Sequence, residues 1–146
     1  MFTESVKVKG NLEVILLDQS GIQKDYRKIE NLVVAVGKDV IAARLIGNTL
    51  AVMSHMAVGS SATTAATSQT ALGTELGRVT LDSTARAANT ITYVATFPAG
   101  TGTGSLTEAG ILNASSTGNL LCRTTFGVVT KGAGDTVVIT WNVTVA

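Results

Sequence analysis

The chain has 146 residues, of which 45% are hydrophobic and 14% are charged, and its formal net charge is +1. Its length predicts one domain over residues 1–146, which buries roughly 70% of its unfolded surface. Eleven Lys and Arg residues against ten Asp and Glu residues exclude the basic excess typical of nucleic-acid-binding proteins. So few charges favour a protein that packs against neighbouring subunits, and a monomer with a weakly charged surface is the alternative.

The N-terminal residues and the single cysteine bear on the compartment. Residues 1–9 are polar and of mixed charge with no apolar core behind them, so we expect no signal peptide. The apolar runs are too short to cross a bilayer, so we expect no membrane partner. Cys122 has no second cysteine to pair with, and we expect an inert, buried thiol. These features predict synthesis in a reducing cytoplasm.

The first fifty residues predict a β-hairpin followed by a helix. Residues 6–16 alternate between apolar and polar, which places one set on a buried face: Val6, Val8, Leu12, Val14 and Leu16. "DQSG" at 18–21 predicts a turn, and residues 22–36 return as a second strand. Residues 37–47 predict a helix with glycine at both ends, in which Leu45 continues an apolar stripe while Lys38 and Arg44 face water.

The rest of the chain predicts short strands joined by turns. Residues 52–59 and 90–97 read as strands, residues 106–126 as a hairpin, and the last strand places Trp141 in the core. Residues 60–68 predict an extended loop ordered against the body or a neighbour, residues 68–76 a helical turn capped by Ser68, and residues 85–89 a loop. The fold class expected is therefore mostly β, an antiparallel β-sandwich with one short α-helix.

Four charges lie among small and apolar residues and form the candidate site: Glu75, Arg78, Glu108 and Arg123. Paired acids are typical of general acid–base catalysis, and two carboxylates in a pocket would resemble a glycosidase. Each acid also has an arginine nearby in the expected sheet. We therefore predict bidentate arginine–carboxylate pairs that act as structural charge braces at turns, and no catalytic residue.

Other motifs predict no cofactor and no metal. "GTGTG" at 100–104 lacks the Gly-Lys-Ser/Thr ending of a phosphate-binding loop, so we interpret it as a turn. His55 has no second ligand nearby, which predicts a hydrogen-bonded core or interface histidine. Asn113 and Asn142 begin glycosylation sequons, which we interpret as chance matches in a chain without a signal peptide.

Two stretches carry a resemblance to a known class of proteins. "HMAVGSSATTAATSQTALGTELGRVTL" and "ITYVATFPAGTGTGSLTEAGILNASSTGNLLCRTTF" resemble a recurrent module of tailed-bacteriophage structural proteins. Similar runs occur in the attachment regions of tail fibres and in small phage head or tail proteins. The resemblance covers residues 52–145, so the chain divides into an N-terminal hairpin plus helix, 1–50, and a phage-structural-like β module, 51–146.

The resemblance implies a non-enzymatic virion protein, and two hypotheses of different class stay open. The first is a capsid decoration (cement) protein that contacts the major capsid protein as a small homo-oligomer, such as a trimer. The second is a binding module: a tail-fibre or baseplate attachment component that contacts tail or baseplate proteins, or a small receptor- or carbohydrate-binding module. Only 4% of residues are aromatic, which favours the first, because carbohydrate sites use exposed aromatic side chains.

Overall fold

The computed structural model describes residues 4–146 and shows a mostly antiparallel β-fold with one short helix. Residues 1–3 of the predicted N-terminal unit lie outside the described part. The predicted fold class is confirmed. The elements in chain order are β1 (Val8–Leu17), β2 (Gln23–Val33), α1 (Ala35–Leu45), β3 (His55–Gly59), β4 (Glu75–Thr80), β5 (Ser83–Ala87), β6 (Thr90–Phe97), β7 (Gly104–Leu112), β8 (Leu120–Lys131) and β9 (Thr136–Val145).

The nine strands form one curled sheet in the order β4-β3-β7-β8-β2-β1-β9-β6-β5. Strand β2 turns the first corner, because most of it pairs with β1 while Leu32 and Val33 pair with β8. The two edge strands, β4 and β5, follow each other in the chain. At the link between them, the Leu81 amide donates to Ser54 O (2.9 Å) and the Asp82 amide donates to Val94 O (2.7 Å). The sheet therefore curls into a sandwich-like half-barrel.

The core fills the space inside the curled sheet. The alternation predicted for residues 6–16 is confirmed at Leu12, Val14 and Leu16 of β1, and Trp141 of β9 is buried as predicted. The buried residues also include Tyr93, Ala95 and Phe97 of β6, and Val137, Ile139 and Val143 of β9. The indole of Trp141 donates a hydrogen bond to Asn31 Oδ1 at 3.1 Å. The prediction for Val6 is wrong: it is 69% exposed, because it precedes both β1 and the Lys7–Ala146 backbone hydrogen bonds at the end of the sheet.

The helix begins and ends two residues earlier than predicted. Gly37 lies inside it, where a Cβ would sit 2.2 Å from Leu121 O, so the glycine lets the helix approach β8 closely. Gly47 follows the end with a φ of +74°, as helix-ending glycines do. Lys38 and Arg44 face solvent as predicted, but Leu45 is 83% exposed and leaves the expected stripe. Among residues 4–146, no helix has the length and apolar character needed to cross a membrane.

Two local predictions are wrong. Residues 68–76, all of them described, contain no helical turn, and Ser68 caps nothing: the chain stays irregular to Thr74 and then enters β4. Side chains of the sheet hold the backbone of this segment, which overrides its weak helical preference. Residues 85–89 are not a loop, since Ser83–Ala87 pairs with β6 and the chain reverses at Ala88 and Asn89.

Candidate functional site

The four charges singled out in the sequence lie on one face of the β4-β3-β7-β8 part of the sheet. This face points away from the main core and is covered by the segment 60–74, whose Leu72 packs with Ala57, Leu112 and Leu120. Strand pairing aligns the charges in two rows, Glu75–Gly59–Glu108 and Arg78–Ala57–Gly110–Arg123. The centre of the face thus consists of glycine and alanine, over which a chain segment can pack closely.

Glu108 and Arg123 form a fully buried ion pair between neighbouring strands. Both side chains have no exposed surface. The Arg123 Nε donates to Glu108 Oε2 at 2.9 Å, and Nη2 lies 2.9 Å from the same oxygen without a hydrogen bond to it. The predicted bidentate geometry is therefore not the one that forms here, because the second carboxylate oxygen binds the covering segment.

The covering segment donates three backbone hydrogen bonds to the Glu108 carboxylate. The amides of Ser61 (3.1 Å) and Thr74 (2.7 Å) donate to Oε1, and the amide of Gly73 (2.8 Å) donates to Oε2. With the guanidinium, the buried carboxylate accepts four hydrogen bonds. This arrangement offsets the large desolvation cost of a buried charge.

Arg123 binds the same segment from the other side. Its Nη1 donates to Thr63 O (2.9 Å) and to Gln69 Oε1 (3.0 Å). Gln69 in turn accepts from the Ala66 amide (3.0 Å) and donates to Thr64 O (3.2 Å). The two buried charges therefore hold both ends and the middle of the 60–74 segment, which we call the clamped loop.

Gly59 allows the clamped loop to pack closely against strand β3. A Cβ at Gly59 would lie 2.2 Å from Thr74 O and 2.5 Å from Glu108 Oε1. Both distances are far below van der Waals contact, so any larger residue would displace the loop or the carboxylate.

Glu75 and Arg78 form the second pair, nearer the surface. Arg78 Nε and Nη2 donate to the two Glu75 oxygens at 3.1 and 2.7 Å, which is the bidentate geometry. Arg78 Nη1 also donates to Ala114 O (2.8 Å) and Thr117 O (2.9 Å) in the β7–β8 turn. This pair joins the edge strand β4 to a turn two strands away.

In this geometry the charged groups of the site bind other parts of the protein. A general acid or base must reach a substrate within hydrogen-bonding distance, and Glu108 has no exposed atom. Its oxygens are occupied by protein donors, and Glu75 is held by its own arginine. Among residues 4–146, no group of three or more His, Cys, Asp or Glu side chains could hold a metal ion.

The remaining sequence candidates have local partners. His55 Nδ1 lies 2.8 Å from Ser54 Oγ at the start of β3. Burial raises the pKa of the Cys122 thiol well above its usual range, in keeping with an inert thiol. Residues 100–104 lead into β7, not into a helix, and Gly100, Gly102 and Gly104 all have positive φ.

The two sequon asparagines also make internal hydrogen bonds. Asn113 is buried, donates to Ala51 O (3.1 Å) and accepts from the Asn119 amide (2.7 Å), which closes the β7–β8 turn. Asn142 accepts a hydrogen bond from Thr92 Oγ1 at 2.7 Å across β9 and β6.

The sequence patterns do not predict which charged side chains are buried. After Arg86 the chain has four charged residues, Glu108, Arg123, Lys131 and Asp135, and all four are buried. Residues 45–74 contain no Asp, Glu, Lys or Arg. The exposed charges of the described chain are thus confined to residues 4–44 and 75–86. The sequence signal available was the low frequency of charges after residue 86, but their burial follows from the pairing of the strands.

Comparison of the chain with models of protein families, with curated proteins and with solved structures finds no match.

Proposed function

We propose that this chain is a non-enzymatic structural protein of a tailed-bacteriophage virion, with capsid decoration as its role. The protein would bind the outer surface of the shell as a small homo-oligomer, contact the major capsid protein, and stabilise the shell by bridging its subunits. The proposal rests on the resemblance of residues 52–145 to phage structural proteins and on the surface described above.

The observation that carries the proposal is the uneven distribution of charge. Residues 45–74 and 87–146 present a surface of Thr, Ser, Ala, Asn and apolar side chains, while their charged groups are absent or buried. Such a surface loses little hydration when a neighbour covers it, because few ions must be desolvated. A large uncharged area suits a protein that works while packed among other subunits.

The clamped loop adds a second support. Its small side chains at 62–64 and 66–68 are exposed, yet its backbone is fixed by the buried Glu108–Arg123 pair. A rigid surface loses less conformational entropy on binding than a mobile one. Small residues also allow the backbone of a partner to approach closely.

The binding-module alternative has less support from the surface. Of the described aromatic side chains, Tyr26 alone is exposed, at 45%, while Tyr93, Phe97 and Trp141 are buried and Phe126 is half-buried. A carbohydrate site usually stacks sugars on exposed aromatic rings. Attachment to a tail fibre or baseplate does not require exposed aromatic rings. The location of the protein on the particle distinguishes it from capsid decoration.

The test is the copy number and location of the protein in purified particles. Quantitative mass spectrometry should find it in numbers comparable with the major capsid protein, and immuno-electron microscopy should label the shell. Particles that lack it should break at a lower temperature or a smaller osmotic shock, because a protein that binds only the assembled shell stabilises it. A few copies per particle, or labelling at the tail alone, would overturn decoration in favour of the fibre or baseplate role.

A further inference from the structure

An apolar groove lies at one end of the half-barrel, between α1 and the first residues of β1. It consists of two hollows of about 460 and 310 Å³ that share Val8, Ile41 and Leu45. The second hollow reaches down between the sheet ends to Tyr93 and Leu121. We call the two hollows together the α1 groove.

Large apolar side chains are exposed around this groove. Leu45 is 83% exposed, Val6 is 69% exposed, and Val52 is 61% exposed, and all three line it. Leaving such side chains in water is unfavourable, because the burial of apolar surface lowers the free energy. A contiguous exposed patch of this kind marks an interaction site.

The rim of the α1 groove is positively charged. Lys7, Lys9 and Lys38 line the first hollow and Arg44 lines the second, and all four are exposed. The Arg44 Nη1 donates to Asn48 O (3.3 Å) and Leu50 O (3.2 Å), which holds the guanidinium at the rim. Of the described residues that line the two hollows, none is acidic.

We propose that the α1 groove binds an acidic, amphipathic peptide segment of another protein, with its apolar side chains on the floor and its carboxylates on the rim. This inference rests on the proposed function in one respect: the segment would belong to a neighbouring virion protein. The charge pattern selects this occupant over three others.

A second copy docked through the same groove would place four cations against four cations, which opposes association. A fatty acid has one carboxylate, yet Lys38 and Arg44 alone are about 9 Å apart along the helix axis. A nucleic-acid backbone would supply negative charge, but the apolar side chains on the floor of the groove would stay exposed to water. A peptide with several carboxylates beside an apolar stripe satisfies both the rim and the floor.

The experiment uses the full chain and a fluorescein-labelled amphipathic peptide of about four helical turns, with a leucine stripe flanked by glutamates. The matched peptide carries lysines in place of the glutamates. Fluorescence anisotropy should show that the acidic peptide binds. The affinity for the basic peptide should be lower by about tenfold or more. Binding of the acidic peptide should weaken at about 0.5 M salt, where exposed charges are screened.

Two variants with matched controls locate the binding site. Lys38→Glu should lower the affinity about tenfold, whereas Lys28→Glu, an exposed lysine on β2, should leave it unchanged. Leu45→Ser should also weaken binding, whereas Val128→Ser, 52% exposed on β8, should not. All four positions are exposed, so the variants should fold.

Several outcomes would overturn the proposal. The first is equal affinity for both peptides, and the second is no binding of either. The third is a loss of affinity in the control variants as large as that in Lys38→Glu and Leu45→Ser. If sedimentation shows dimers that Leu45→Ser abolishes, the groove would be assigned to a second copy. Binding to anionic vesicles but not to the peptide would assign it to lipid.

The peptide assay needs no phage particle, so it tests the groove separately from the virion function. If the peptide does not bind but particles contain the protein in numbers comparable with the major capsid protein, the groove proposal alone is rejected. Peptide binding by a protein absent from particles rejects the virion function alone.

Discussion

Arg123 Nε lies 2.9 Å from Glu108 Oε2 on the neighbouring strand, and both side chains are completely buried beneath a loop of small residues. Most of the remaining polar atoms of the pair bind that loop rather than the sheet. The ion pair is thus the means by which the sheet fixes the clamped loop. The loop buries few large apolar groups besides Leu72, so its position depends on these polar contacts.

Removing one partner of this pair should destabilise the protein strongly. Arg123→Met leaves a buried carboxylate without its counter-ion, and we expect the free energy of unfolding to fall by about 3–5 kcal/mol. Urea denaturation measures this change. Glu75→Gln is the control, because Glu75 keeps 35% of its side chain exposed and the glutamine oxygen can still accept a hydrogen bond from Arg78. We expect a smaller loss than in Arg123→Met.

The same variant should release the clamped loop. Amide exchange at Ser61, Gly73 and Thr74 should accelerate in Arg123→Met more than exchange in β1 or β9, because these amides donate to the carboxylate that loses its partner. Unchanged protection of these three amides would show that Leu72 and the glycine face hold the loop without the ion pair.

Gly59→Ala should also displace the clamped loop. The added Cβ would lie 2.2 Å from Thr74 O, and backbone atoms cannot move aside as a flexible side chain can. We expect a loss of about 1–3 kcal/mol in the free energy of unfolding, which is typical of overpacking. Gly134→Ala is the matched control, since its Cβ would meet its nearest atom at 3.5 Å, an ordinary contact. Equal stability of the two variants would contradict this account.

Trp141 should dominate the energetics of the main core. It is fully buried, and its indole N–H donates to Asn31 Oδ1 at 3.1 Å. Trp141→Ala should lower the free energy of unfolding by about 3–5 kcal/mol through lost burial and a cavity. Trp141→Phe should cost less, because it keeps most of the apolar volume and loses the hydrogen bond. As the chain has one tryptophan, its emission should be blue-shifted in the native state and should shift to the red on unfolding. A red emission before denaturation would contradict the buried position.

The sequence predicts the parts of this fold that depend on local alternation. The strands β6 and β9 alternate with one apolar residue each on the outer face, Val94 and Val138, so their buried faces follow mainly from period two. It does not predict the path of residues 68–76, because two backbone amides there, those of Gly73 and Thr74, bind a carboxylate more than thirty residues away in the chain. It likewise identifies Glu108 and Arg123 as unusual charges among small residues. Their backbone partners in the clamped loop follow only from the register of β3, β7 and β8.

The β5 strand shows the same limit from another side. "STARA" contains no large apolar residue, and every residue of β5 is exposed. Such a segment has no hydrophobic pattern that distinguishes a strand from a loop. Its conformation comes from the hydrogen bonds that β6 offers, which are a property of the assembled sheet.

Acidification should weaken the contact between Asp135 and the β1–β2 hairpin. Lys24 Nζ donates to Asp135 Oδ2 at 2.8 Å, and the Gly132 amide donates to the same oxygen at 2.8 Å. The ammonium of Lys24, and then the Gly132 amide, hold the pKa of Asp135 below its ordinary value of 3.8. Because the folded pKa is the lower one, this group stabilises the protein above its unfolded pKa, and that stability is lost as the pH falls through the folded pKa.

Urea midpoints measured from about pH 6 down to about pH 2 test this sign. Asp135→Asn should be less stable than the wild type at pH 6, and the difference should shrink as the pH falls below 3.8, because the asparagine does not titrate. Lys24→Met should show a smaller acid loss than the wild type, since it removes the largest cause of the lowered pKa. Lys28→Met, at an exposed β2 position, controls for the change in net charge. A constant difference between Asp135→Asn and the wild type across the range would mean that Asp135 contributes the same stability whether or not it is ionised.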